Sequence, residues 1–63
     1  MDWRLAIDFI DSQDIILQFD SAESAHAKME EFLGQGVVSE QVDGRDWYYP
    51  IAQVRSFSIY HRS

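Results

Sequence analysis

Sixty-three residues suffice for one small domain and leave no room for a second, so residues 1–63 are expected to fold as a single unit. A chain of this length buries only about 60% of the surface that its unfolded form exposes. It contains no cysteine, which excludes disulfides and thiolate zinc sites as further sources of stability. The formal net charge of −6 disfavours direct contact with nucleic acid, because the chain has too few cations to displace the counterions condensed on phosphates.

The sequence carries no pattern that predicts export or membrane insertion. Its first residues, Met-Asp-Trp-Arg, lack the basic stretch and the following apolar run of a secretory signal. No segment approaches the roughly 18 consecutive apolar residues that a membrane-spanning helix needs. We therefore expect a cytoplasmic protein that makes no contact with membranes.

The first two segments with a clear period predict a β-hairpin. Apolar and polar side chains alternate over residues 3–9, and the apolar residues recur at every second position over residues 15–19. Both patterns are typical of half-buried strands. The intervening Asp11-Ser12-Gln13-Asp14 favours a turn, because short polar side chains bond back to the local backbone. This hairpin is expected to direct its odd-numbered residues toward the core.

One segment, between Asp20 and Gly34, has a helical period. Asp20 stands at capping-box spacing before Glu23, and Ser21 is an equally good cap. Gly34 is predicted to supply the left-handed residue that ends the helix, and Gly36 a further change of direction. At about 100° per residue the apolar positions span an arc of roughly 100°, enough for one buried face. They are Ala22, Ala25, Met29, Phe32 and Leu33.

Three further strands are predicted after the helix, at about residues 37–42, 47–49 and 54–61. The dipeptide Asp43-Gly44 favours a tight hairpin between the first two, because glycine accepts a positive φ. Pro50 suits the end of a strand, since it cannot donate to a ladder, and residues 51–53 form a short corner. The order β-β-α-β-β-β predicts an α+β domain, in which one antiparallel-rich sheet packs one face against the helix.

No pattern predicts a metal site. His26 and Glu30 stand four residues apart on the helix, but zinc needs three or four ligands and the only other histidine is His61. The aspartates at positions 8, 11 and 14 crowd the first turn without the spacing, the central glycine or the terminal glutamate of a calcium loop. We expect a helix-flank histidine and a solvated turn instead.

Catalysis and cofactor binding also lack a pattern. No serine stands in the glycine-flanked strand–elbow–helix turn in which a nucleophile would be activated. Gly34-x-Gly36 follows a helix, whereas a phosphate loop leads into one. The chain is too short to enclose a substrate pocket of ordinary size. We therefore expect a protein that is not an enzyme, with no catalytic residues and no cofactor.

Three consecutive aromatic residues, Trp47-Tyr48-Tyr49, form the most suggestive functional pattern. Neighbouring side chains on a strand point to opposite faces of the sheet. The Asp43-Gly44 hairpin places Val38 and Val42 on the same face as Trp47 and Tyr49. That face is expected to be the one covered by the helix.

The opposite face of the sheet is predicted to stay uncovered. Tyr48 lies on it, and Ala6 is expected there too. An uncovered patch of aromatic and aliphatic side chains is typical of a protein interface, although single exposed rings are also common on small proteins. The candidate interface residues are Tyr48, Tyr60, Ile16 and Arg55.

These patterns favour a non-catalytic protein–protein interaction module, a regulator or adaptor that forms a homo-oligomer through the face away from the helix. The alternative is a small acidic inhibitor, of the phage or mobile-element type, that blocks a nucleic-acid-binding or defence protein. Its candidate acidic surface is Asp8, Asp11, Asp14 and Glu40. A small-ligand site beside His26 or between the tyrosines is a third reading. Association through apolar surface is insensitive to salt, whereas binding through the acidic surface weakens steeply with salt.

Overall fold

The computed structural model describes residues 2–62, which form five strands, one α-helix and one short 3-10 turn. The order β-β-α-β-β-β and the antiparallel pairing confirm the predicted α+β fold. The elements are β1 (Trp3–Phe9), β2 (Asp14–Phe19), α1 (Ala22–Gln35), β3 (Val37–Val42), β4 (Arg45–Pro50), the 3-10 turn Ile51–Gln53 and β5 (Val54–His61).

A three-stranded sheet in the order β2-β1-β5 provides most of the core. Leu5 of the central strand pairs with Leu17 on one side and with Ile59 on the other. The odd-numbered residues Leu5, Ile7 and Phe9 are buried, and the odd-numbered residues of β2 pack against them. The predicted inward parity of this hairpin is therefore confirmed.

The remaining two strands form a second sheet, in place of the one sheet expected from the sequence. β3 pairs only with β4, and Val38 lies opposite Tyr49 at the base of this hairpin. Asp43 (φ 53°) and Gly44 (φ 76°) both have positive φ, as the predicted tight turn requires. Among residues 2–62 no backbone hydrogen bond joins this hairpin to β2.

The helix begins after Ser21, whose Oγ accepts a hydrogen bond from the backbone N–H of Ser24 at 3.1 Å. Its end differs from the expectation, because Gly34 lies inside the helix and the left-handed residue is Gly36 (φ 75°). The carbonyl of Gly36 accepts a hydrogen bond from the N–H of Ile51 at 3.0 Å. The N–H of Gly36 donates to the carbonyl of Phe32 at 2.9 Å and closes the helix, and the bond from Ile51 joins this helix end to the second hairpin.

The two glycines offer a matched test of where the helix ends. A Cβ at either position would meet nothing within 4 Å, so the substitutions differ only in backbone conformation. We expect Gly34→Ala to raise the free energy of unfolding by about 0.5–1 kcal/mol, since alanine is the better helix former. Gly36→Ala should lower it by about 1 kcal/mol through left-handed strain. Urea unfolding measures both, and the opposite order would place the helix end at Gly34.

The buried face of the helix is rotated from the predicted one, away from Leu33. Ala25 and Phe32 are buried and Met29 is partly buried, whereas Leu33 is 52% exposed. Phe32 and Leu33 lie at opposite ends of the predicted arc, about 100° apart, and the helix packs with the Phe32 end toward the core. The expectation that Leu33 faces the core was therefore wrong.

The helix covers only the base of the β3–β4 hairpin. Val38 is fully buried there, but Val42 and Trp47 on the same face are 41% and 42% exposed. The prediction that Val42 and Trp47 share a face with Val38 is confirmed, but the prediction that Trp47 lies in the core is wrong. The far half of the hairpin extends past the residues of α1 that could cover it.

Candidate protein-interaction surfaces

The outward face of the three-stranded sheet carries two large exposed apolar residues. We define the outward face as the side chains of the three strands that point away from α1. Ile16 lies opposite Ala6 and is 51% exposed, and Tyr60 lies opposite Arg4 and is 42% exposed. The structure thus places two of the predicted interface residues on one face, on the two strands that flank β1.

Arg4 lies at the centre of the outward face and is only 8% exposed. Its cross-strand neighbours are Gln18 and Tyr60, and its Nη1 donates to the carbonyl of Trp3 at 3.4 Å. An arginine in such a position covers neighbouring apolar surface with its aliphatic stem. The outward face is therefore closely packed at its centre, with Ile16 and Tyr60 at its sides.

Tyr48 belongs to the other sheet and does not join this face. It lies on β4, opposite Ser39, and is the most exposed large apolar side chain of the described residues at 66%. Tyr60 lies on β5, at the far edge of the three-stranded sheet. The two tyrosines, expected to act together, occupy different sheets because the five strands do not form one ladder.

Arg55 is exposed at an irregularity in β5. The pairing passes from Ser56 opposite Asp8 to Val54 opposite Phe9, so Arg55 is the extra residue of a β-bulge. The bulge changes the strand's parity and allows both Val54 and Phe57 to pack against the core. Arg55 lies five positions from Tyr60 along β5, which separates it from the apolar part of the outward face.

The predicted acidic surface divides into two places. Asp8 and Asp14 lie directly opposite one another on β1 and β2, and Asp11 lies in the turn between these strands. We call these three residues the acidic rim. The Ser56 hydroxyl donates to Asp8 at 3.3 Å, and the Asp11 carboxylate accepts from the Gln13 N–H at 3.2 Å. Glu40 is on β3, opposite Trp47, and is not part of the rim.

Two surfaces were not predicted from the sequence. The first is a shallow depression of ≈270 Å³ at the end of the β3–β4 hairpin, lined by Val42, Asp43, Arg45 and Trp47. The alternation of side chains along β3 and β4 could not predict this depression, because it does not show how much of the hairpin the helix covers.

The second surface is a cleft of ≈340 Å³ between β2 and β3. Residues 17–19 of β2 and 39–41 of β3 line it, together with Lys28 and Phe32 of α1. Lys28 forms an ion pair with Glu31 at 3.1 Å, and its Nζ lies 5.7 Å from the centroid of the Phe32 ring. Only the strand order reveals this cleft, since it exists where two neighbouring strands fail to pair.

The two histidines lie apart. His26 is exposed on α1, and the His61 ring packs edge-on against Trp3 with 5.1 Å between the centroids. Within residues 2–62, no three histidine, aspartate or glutamate side chains come close enough to hold a metal ion. The one α-helix in the described part of the chain lacks the length and apolar character needed to cross a membrane.

Comparison of the chain with protein-family models, with curated protein sequences and with solved structures gave no match.

Proposed function

We propose that this domain is a non-catalytic protein-interaction module that self-associates through the outward face of its three-stranded sheet. The observation that carries the proposal is the exposure of Ile16 and Tyr60 on one face around the nearly buried Arg4. Tyrosine and arginine are enriched among the residues that dominate binding energy at protein interfaces. Since α1 packs on the opposite face, a second protein has free access to these side chains.

The size of the domain limits the apolar area available for such a contact. A standard interface buries roughly 800 Å² on each partner. This amounts to nearly one fifth of the domain's surface of 4399 Å². The contact must therefore extend beyond Ile16 and Tyr60 onto polar neighbours such as Gln18 and Ser58. We expect a reversible dimer whose stability depends mainly on the two apolar side chains.

Replacing Tyr60 with serine should weaken self-association, with Tyr48→Ser as the matched control. Each change removes one exposed tyrosine from a strand, but only Tyr60 lies on the outward face. A tyrosine buried at an interface contributes about 2 kcal/mol or more, and the substitution removes one from each partner of a symmetric dimer, so the dissociation constant should rise by about a thousandfold. Sedimentation equilibrium from about 1 μM to 1 mM protein measures this constant, and circular dichroism verifies folding.

The proposal fails if the parent protein stays monomeric over that range, or if both serine variants dissociate the dimer equally. It is supported if Tyr60→Ser yields a folded monomer while Tyr48→Ser keeps the dimer. The dissociation constant of the parent should also change little with salt, because the contact is apolar.

A second candidate function, a small acidic inhibitor, draws on the acidic rim. Asp8 and Asp14 face each other directly, and like charges at such positions destabilise a strand pair. A basic partner would relieve this repulsion. Its binding should weaken steeply with salt and should be lost in Asp11→Asn/Asp14→Asn, while Tyr60→Ser leaves it intact.

A further inference from the structure

The cleft between β2 and β3 is bounded by two strands that each lack a partner on the cleft side. Among the described strands, β2 is the outer strand of one sheet and pairs only with β1. β3 pairs only with β4 in the other sheet. Leu17–Phe19 and Ser39–Gln41 line the same cleft. An edge strand presents a row of backbone N–H and C=O groups that can pair with another chain.

The hydrogen bonds of the first hairpin show which backbone groups of β2 face this cleft. The N–H of Phe9 donates to the carbonyl of Gln13 at 2.9 Å, so these residues form a hydrogen-bonded pair. Such pairs recur at every second residue of an antiparallel ladder. The backbone groups of Leu17 and Phe19 therefore point toward β1. Those of Gln18 point away from β1, into the cleft.

The same argument identifies the free groups of β3. The N–H of Ile51 donates to the carbonyl of Gly36 at 3.0 Å, immediately before the pair of Val37 and Pro50. The alternation then directs the backbone groups of Glu40 toward β4. Ser39 and Gln41 direct theirs away from β4. Both walls of the cleft thus offer unpaired backbone donors and acceptors.

We propose that this cleft binds an extended peptide segment of a basic partner protein. The segment adds one strand between β2 and β3, pairing with Gln18 on one side and with Ser39 and Gln41 on the other. Backbone pairing of this kind gives affinity, and pockets for alternate side chains give specificity. The cleft volume of ≈340 Å³ is within the range of about 300–1,000 Å³ found for ligand sites.

The lining of the cleft determines the side chains that fit. On the side of the cleft that faces the helix, Leu17 and Phe19 of β2 lie beside Phe32 of α1, so apolar peptide residues fit there. Glu40 shares this side on β3, because it lies on the same face of the strand as the buried Val38.

The net charge of −6 favours a peptide that carries positive charge outside its apolar positions. A basic peptide is attracted by this charge and a second copy of this chain is not, so a basic peptide is the occupant that we propose. This site meets the outward face only at Gln18, whose backbone groups point into the cleft and whose side chain lies on the outward face beside Arg4. Peptide binding does not depend on self-association.

Selection from a displayed library of random ten-residue peptides tests the proposal, with the full-length protein as the target. We expect enriched sequences that alternate apolar and polar residues and carry a net positive charge. Gln41→Pro removes the N–H that points into the cleft but keeps the bonds between β3 and β4. This substitution should raise the dissociation constant of a selected synthetic peptide about tenfold or more. Asp46→Pro is the matched control, because the N–H of Asp46 points to the outer edge of β4, away from the cleft.

Circular dichroism shows whether both proline variants fold. A second experiment does not depend on these variants: alternate backbone nitrogens of the selected peptide are methylated, and its binding to the parent protein is measured. Loss of binding on methylation supports strand addition. The proposal is overturned if no peptide is enriched, if the enriched peptides are acidic, or if methylation has no effect. It is also overturned if Gln41→Pro abolishes self-association, since a second copy then occupies the cleft. Tyr60→Ser should retain peptide binding, which separates this result from the test of the outward face.

Discussion

Replacing Phe32 with alanine is expected to lower the free energy of unfolding by about 3–5 kcal/mol. Phe32 is 1% exposed and is the largest fully buried side chain. It lies on α1, which contacts both sheets, so its removal leaves a cavity where the helix packs on the core. Natural domains are stable by only about 5–15 kcal/mol, and one of this size lies near the lower limit. Only about 0–2 kcal/mol of stability would then remain, so the Phe32→Ala protein should melt more than about 10 °C below the parent.

The neighbouring residue provides the control. Leu33→Ala removes a comparable apolar side chain one position along the same helix, but Leu33 is 52% exposed. Its expected effect is within about 0.5 kcal/mol. Thermal unfolding followed by circular dichroism compares the two variants. Equal losses of stability, or a larger loss for Leu33→Ala, would mean that the helix buries a different face.

Local patterns predicted the elements well because each depends on nearby residues. The period of two placed Leu5 and Ile7 in the core, and the helical period did the same for Phe32. The turn at Asp43-Gly44 was predicted from the backbone preference of glycine alone. These features require no knowledge of how distant segments pack.

The features that were missed depend on contacts between distant segments. Gly36 ends the helix where its carbonyl meets the N–H of Ile51, a bond that local propensity cannot reveal. The division into two sheets depends on β3 not pairing with β2, and strand order has no period. The bulge at Arg55, by contrast, is indicated by the spacing of apolar residues in the sequence. Val54 and Phe57 are three positions apart, so both can face inward only if the strand's parity changes between them.

The candidate sites were likewise predicted where they depend on local alternation and missed where they depend on strand order. Ile16 and Tyr60 were placed on a common face because strand parity is a local property. Tyr48 was expected beside them, and the structure separates it because it lies on the other sheet. The cleft could not be foreseen, since its binding groups are backbone atoms of Gln18, Ser39 and Gln41. Their side chains carry no signal of that role.

Replacing Ile7 with alanine is expected to lower the free energy of unfolding by about 2–5 kcal/mol. Ile7 is fully buried on the central strand, between Ile15 and Phe57. This loss should be independent of protein concentration, because the contacts removed lie within one chain. Urea unfolding at two protein concentrations about a hundredfold apart measures it. A loss below about 1 kcal/mol would show that the sheet is not packed as described.

Ile16→Ala is the matched variant on the opposite face of the same hairpin, and its effect should depend on concentration. A side chain that is 51% exposed contributes little to the folding of one chain, so at low concentration we expect a change within about 0.5 kcal/mol. Binding between folded chains adds stability by mass action. At high concentration the parent should therefore become more stable and Ile16→Ala should not. If both proteins gained equally, Ile16 would lie outside the contact. If neither gained, the domain would not self-associate, and the acidic rim would become the leading candidate surface.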